Sequence, residues 1–255
     1  MVVFADYLDK VKRYFNFSKE EINGLVVSII IVGFIVSFRD WVITPEGGLD
    51  SFITMRNIIN GIIVAGLVLL IYESAHRFTA IGKGFEIKSK LWWPGIIVGF
   101  ILAFVTKGWL WLIIAPSVFI RHLHVHRLGR FRYGRNLLDN GFICLAGPVA
   151  MIVFAFIVKI LLIYLPANVL LLKTLYVSLW FAAVNMLPIP PLDGSRVFFM
   201  PGGPLIYAYS FFTVVGLAIF LALPITQLGS VLFLLLGGLV VGVLGWFYVL
   251  QRVMK

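Results

Sequence analysis

The sequence is poor in charge. Of its 255 residues, 13% are Asp, Glu, Lys or Arg and 61% are hydrophobic. A soluble domain runs nearer to about a quarter charged and half apolar, so a water-soluble globular fold is excluded. Cysteine is almost missing: Cys144 stands alone in an apolar run, which excludes a disulfide framework. Acidic residues are scarce as well, 11 against 21 basic ones, for a net charge of +10. Such an excess can mark a nucleic-acid binder. Here the basic residues gather beside apolar runs, where they set topology and meet anionic lipid, so no nucleic-acid partner is expected. No internal repeat, low-complexity linker or separate soluble domain is read. Residues 1–20 carry mixed charge without a continuous apolar core, so no cleavable signal peptide is expected.

What is present is hydrophobic length. The mean hydropathy is +1.04, and several runs reach the roughly 17–25 apolar residues that cross a bilayer. The expected fold is an all-α, multi-pass membrane protein in one polytopic domain, 1–255. Residues 1–20 hold an amphipathic segment: Val3, Phe4, Tyr7, Leu8, Val11, Tyr14 and Phe15 recur at helical spacing. Ser18 followed by Glu21 is a capping box, so a helix should start there. Six spans are placed at about 20–42, 57–80, 140–165, 168–187, 204–223 and 228–251, the last carrying Gly238-x-x-x-Gly242 as ordinary bundle packing. Residues 43–56 read as a polar loop, and Arg77, Lys83, Lys88 and Lys90 as a basic loop after the second span. The apolar stretch 91–120 is interrupted by Lys107-Gly108. It reads as a re-entrant hairpin, partly of extended chain, because that keeps the basic residues before and after it on one side.

Charge bias orients this arrangement. With the N-terminus inside, inside positions carry Lys10, Lys12, Arg13, Lys19, Arg77, Lys83, Lys88, Lys90, five arginines from 121 to 135, Arg196, Arg252 and Lys255. Outside positions carry Arg39, Arg56 and Lys173. The expectation is a cell-membrane protein with both termini cytoplasmic.

Two polar stretches interrupt the apolar runs. An ionisable side chain within a span costs about 2.5–3.5 kcal/mol on insertion scales, so each is a functional candidate. The first is Tyr72-Glu73-Ser74-Ala75-His76. In the pattern H-E-x-x-H, two histidines one helical turn apart bind zinc and the glutamate activates water. Here the glutamate and second histidine are present, and Tyr72 stands where the first histidine would be. Glu-x-x-His alone serves equally as a structural hydrogen-bonding pair. The second is Asn185-x-x-Pro188-x-Pro190-x-Leu192-Asp193-Gly194. Its prolines should break a helix, and Gly194 should permit a sharp bend, exposing Asp193 at the depth of Glu73 and His76. His122, His124 and His126 alternate, so on an extended chain they share a side. They read as a solvated basic segment, with a compensating metal ligand or a pH sensor as alternatives.

Together the two stretches resemble the site-2 protease family of intramembrane zinc metalloproteases. Ala146-Gly147-Pro148 between them, and the order and spacing of the elements, add to the likeness. It covers about 57–200, a protease-like core, with the two spans in 204–251 additional. The plain form is most like short prokaryotic and archaeal members. The resemblance implies Glu73 as general base and His76 and Asp193 as zinc ligands. Asn185, Pro188 and Pro190 would seat the substrate, an unwound transmembrane helix. Tyr72 departs from the pattern, and its phenol ionises only near pH 10. Three readings follow. One is a degenerate homologue that binds a membrane helix with impaired cleavage. The second is an active zinc endopeptidase, and the third an ion- or proton-conducting protein.

Overall fold

The computed structural model describes residues 2–41, 50–109, 111, 117–122 and 137–224, and positions 237, 238, 242, 244, 245, 248 and 251. The expected sixth span, 228–251, lies mostly outside the described residues, as do His124, His126 and the arginines between 127 and 135. The chain forms two compact units, 1–133 and 134–255. Among the described residues, four helices are long and apolar enough to cross a membrane.

The first unit opens with the amphipathic helix α1 (Val2–Tyr14). Helix α2 (Lys19–Ser37) follows, started by the expected capping box: Ser18 accepts from the Glu21 N–H while the Glu21 carboxylate accepts from the Ser18 N–H. A short 3-10 turn extends it to Asp40. Helix α3 (Ser51–Gly82) starts earlier than the polar loop expected over 43–56 allows. Asp50 caps it by accepting from the Ile53 N–H, so residues 51–56 are helical rather than loop. Helices α2 and α3 pack backbone to backbone, and a side-chain carbon added to Gly61 would lie 2.4 Å from the Gly33 carbonyl oxygen.

Beyond α3 comes strand β1 (Phe85–Lys90), then helix α4 (Trp93–Val105) and strand β2 (Ser117–His122). The strands pair antiparallel, Ile87 opposite Ile120 and Ser89 opposite Val118. The chain therefore leaves β1 on α4 and returns beside it. Helix α4 ends in a turn at Lys107 and Gly108, both at positive φ (52° and 75°), where the interruption was expected.

The second unit holds α5 (Leu137–Tyr164), α6 (Val169–Asn185), the short α7 (Asp193–Phe198) and α8 (Gly203–Ala222). Helix α5 runs through Pro148 and packs on α6, α7 and α8. Helix α6, at 17 residues, is shorter than the four membrane-length helices. Buried Lys159 on α5 donates to the Leu223 carbonyl at the end of α8, 2.6 Å away. It thereby satisfies one of the carbonyls that a helix C-terminus leaves open.

Candidate functional site

The first candidate group is a buried polar stripe on α3. Ala65, Val68, Leu69, Tyr72, Glu73, His76, Arg77 and Ala80 recur at three- and four-residue spacing and are buried. Tyr72 and Glu73 are 1% exposed and His76 0%. Tyr72 and His76 sit one turn apart, and their rings meet edge to face with centroids 4.5 Å apart. The tyrosine thus occupies the helix face where H-E-x-x-H would place its first imidazole.

Arg77 does not lie in a basic loop, as its place in the sequence suggested. It is buried within α3 because four groups receive it. Its guanidinium donates to Glu21 Oε1 at 2.7 Å, to the Asn16 carbonyl at 3.1 Å and to the Ile87 carbonyl at 3.2 Å. It also lies 4.0 Å over the Phe17 ring. Glu21 Oε1 accepts a second bond, 2.9 Å, from the Ser89 backbone N–H. The Ser89 hydroxyl in turn donates to Glu73 Oε2. Residues 15–17, Glu21 and β1 are thereby tied to the end of α3 that carries Glu73 and His76. Tyr7 donates to the Phe78 carbonyl at 3.1 Å, and Phe15 stacks on Phe78.

The second candidate group is the break between α6 and α7. Helix α6 stops at Asn185, which is buried and donates back to the Phe181 carbonyl at 2.9 Å. Pro188 and Pro190 are exposed in the turn that follows. Helix α7 begins at buried Asp193. Gly194 works differently from the bend expected of it. It is helical, and a side-chain carbon there would lie 2.1 Å from the Met186 carbonyl oxygen, so the break closes only around a residue without one. The Cys144 thiol of α5 lies next to both Asp193 and Arg196, with Arg196 Nη1 3.7 Å from its sulfur. Gly147 and Pro148 are buried one turn further along α5.

The sequence-derived residues thus fall in two sets: Tyr72, Glu73 and His76 in the first unit, and Asn185, Pro188, Pro190 and Asp193 in the second. A catalytic zinc takes three protein ligands and a water. The helix face in the first unit offers the His76 imidazole and the Tyr72 phenol, beside Glu73. Among the described residues, no three His, Cys, Asp or Glu side chains gather to hold a metal ion. The described donors of this helix face fall short of the three protein ligands of an ordinary zinc centre.

No model of a known protein family matches the sequence, and no solved structure matches it. Over 212 residues the chain is 30% identical to a Methanocaldococcus jannaschii protein named "Putative zinc metalloprotease". The alignment covers 81% of this chain and 97% of that one. Four membrane-length helices, one of them carrying a buried Glu-x-x-His, and this relative define the class: a membrane-associated protein of the metalloprotease kind. The chain belongs to the same metalloprotease family as the archaeal protein.

Proposed function

We propose that the chain is a site-2-protease-like protein of the cell membrane that binds a transmembrane helix, its proteolytic power impaired by the loss of one zinc ligand. In this reading Glu73 on α3 is the general base, and His76 on α3 and Asp193 at the start of α7 are the zinc ligands. Asn185 and the turn at Pro188 and Pro190 seat an unwound segment of the client. The β1–α4–β2 excursion dips into the bilayer and returns on the cytoplasmic side, and both termini lie there too.

One observation carries the reading. Tyr72 is fully buried and packed edge-on against His76, on the face where the first histidine belongs. A tyrosine there supplies a ligand only as a phenolate, far from its ordinary state at neutral pH. If a structural zinc site is worth about 10–16 kcal/mol, losing one of four ligands removes about 2.5–4 kcal/mol, or roughly 100–1000-fold in affinity. The second reading, an active zinc endopeptidase, draws support from Glu73. A buried carboxylate aligned by a serine hydroxyl is the equipment of a general base.

Zinc content decides between them. In the purified full chain, native protein should carry zinc well below stoichiometry, and Tyr72→His about one zinc per chain. Stoichiometric zinc in the native chain, with Glu73-dependent cleavage of a labelled single-span peptide, overturns the impaired reading.

A further inference from the structure

We infer that Ser89 is the positioning residue for the Glu73 carboxylate, and that the capping box of α2 and the Arg77–Glu21 pair hold Ser89 in place. The inference rests on Glu73 being the base of the site. Ser89 makes two donations in two directions. Its backbone N–H goes to Glu21 Oε1 at 2.9 Å and its hydroxyl to Glu73 Oε2. Glu21 itself is fixed at both oxygens: Oε2 accepts from the Ser18 N–H at 2.8 Å, and Oε1 from Arg77 at 2.7 Å. The Ser89 backbone therefore hangs from an immobile carboxylate, and its side chain is delivered to a second one.

The surroundings make this donor count. Glu73 is 1% exposed. The cavity among Glu21, Glu73 and Ser89 measures about 10 Å³, at the lower limit for a single water. Bulk solvent has little room to replace the hydroxyl. A hydrogen bond to a charged group is worth about 1.5–3 kcal/mol, roughly ten- to hundredfold in an equilibrium. The carboxylate is thus aimed by residues from three elements: α2, α3 and β1.

The test uses the full chain in detergent, with dicyclohexylcarbodiimide as a probe of the Glu73 carboxyl and peptide mass spectrometry as the readout. Ser89→Ala and the near-isosteric Ser89→Cys should label at Glu73 about ten- to hundredfold faster than wild type. Ser89→Thr, which keeps the hydroxyl, should return labelling to the wild-type rate. Wherever cleavage of a labelled single-span peptide is measurable, in the native or the Tyr72→His chain, Ser89→Ala should lower kcat and leave KM unchanged. Wild-type labelling in both Ser89→Ala and Ser89→Cys overturns the assignment. If labelling rises and the threonine restores it while Glu73→Ala still cleaves, the positioning contact stands and the base reading of Glu73 falls.

Discussion

The two candidate groups, one in each half of the chain, are built on opposite plans. Around Glu73 the polar atoms are served from far along the chain: Ser89 lies 16 residues away, and the Arg77–Glu21 pair spans 56. Around Asp193, apart from the Cys144 thiol beside it and Arg196, the bonds run to near neighbours in the chain. Asn185 bonds to its own helix four residues back, and the Ser195 hydroxyl bonds to the Leu192 carbonyl three residues back. The first group holds its shape by buried charge and hydrogen bonding between separate elements. The second holds it by backbone turns and by the missing side chain of Gly194. One plan fails when a partner is removed, and the other when an atom is added.

The largest effect should come from cutting the long-range group at its centre. Arg77→Met leaves Glu21 buried without its cation, a defect worth about 3–5 kcal/mol. Thermal unfolding in detergent should show it, and restoring neutrality with Glu21→Leu in the same chain should recover part of the loss. In the local group, Gly194→Ala adds an atom 2.1 Å from the Met186 carbonyl oxygen. Overpacking of this kind costs about 1–3 kcal/mol. It should move the melting temperature less than Arg77→Met does, and a greater loss would blur the contrast between the plans. Smallest should be Ser18→Ala, which removes only the cap of α2 and costs about 1 kcal/mol, read from the same melts.

The same contrast explains what could be read without coordinates. The capping box at Ser18 and Glu21 and the turn at Lys107-Gly108 were legible because each is set by residues a few positions apart. So was the helix break after Asn185, where prolines remove donors and force extended backbone. The start of α3 was also within reach: Asp50 ahead of an apolar periodic run is an N-cap signal, overridden by the polar loop read over 43–56 from Pro45, Gly47 and Gly48. Arg77 and Ser89 were not. Arg77 follows His76 at the end of an apolar run, where a basic residue ordinarily meets solvent. Glu21, 56 residues earlier, supplies the countercharge for its burial. Ser89 sits in Phe-Glu-Ile-Lys-Ser-Lys, a sequence with no mark of a buried partner. Lys159 escaped for the same reason, since its acceptor lies 64 residues away.

Arg77 has a mechanical meaning as well. Successive residues on an α-helix are about 100° apart around its axis, so a swivel of that size would carry each one to its neighbour's bearing. The guanidinium is tethered to Asn16, Glu21 and Ile87 and lies over Phe17, so α3 is keyed against such a swivel one residue past His76. The azimuth of Tyr72, Glu73 and His76 is thereby set by a bolt at the end of their own shaft.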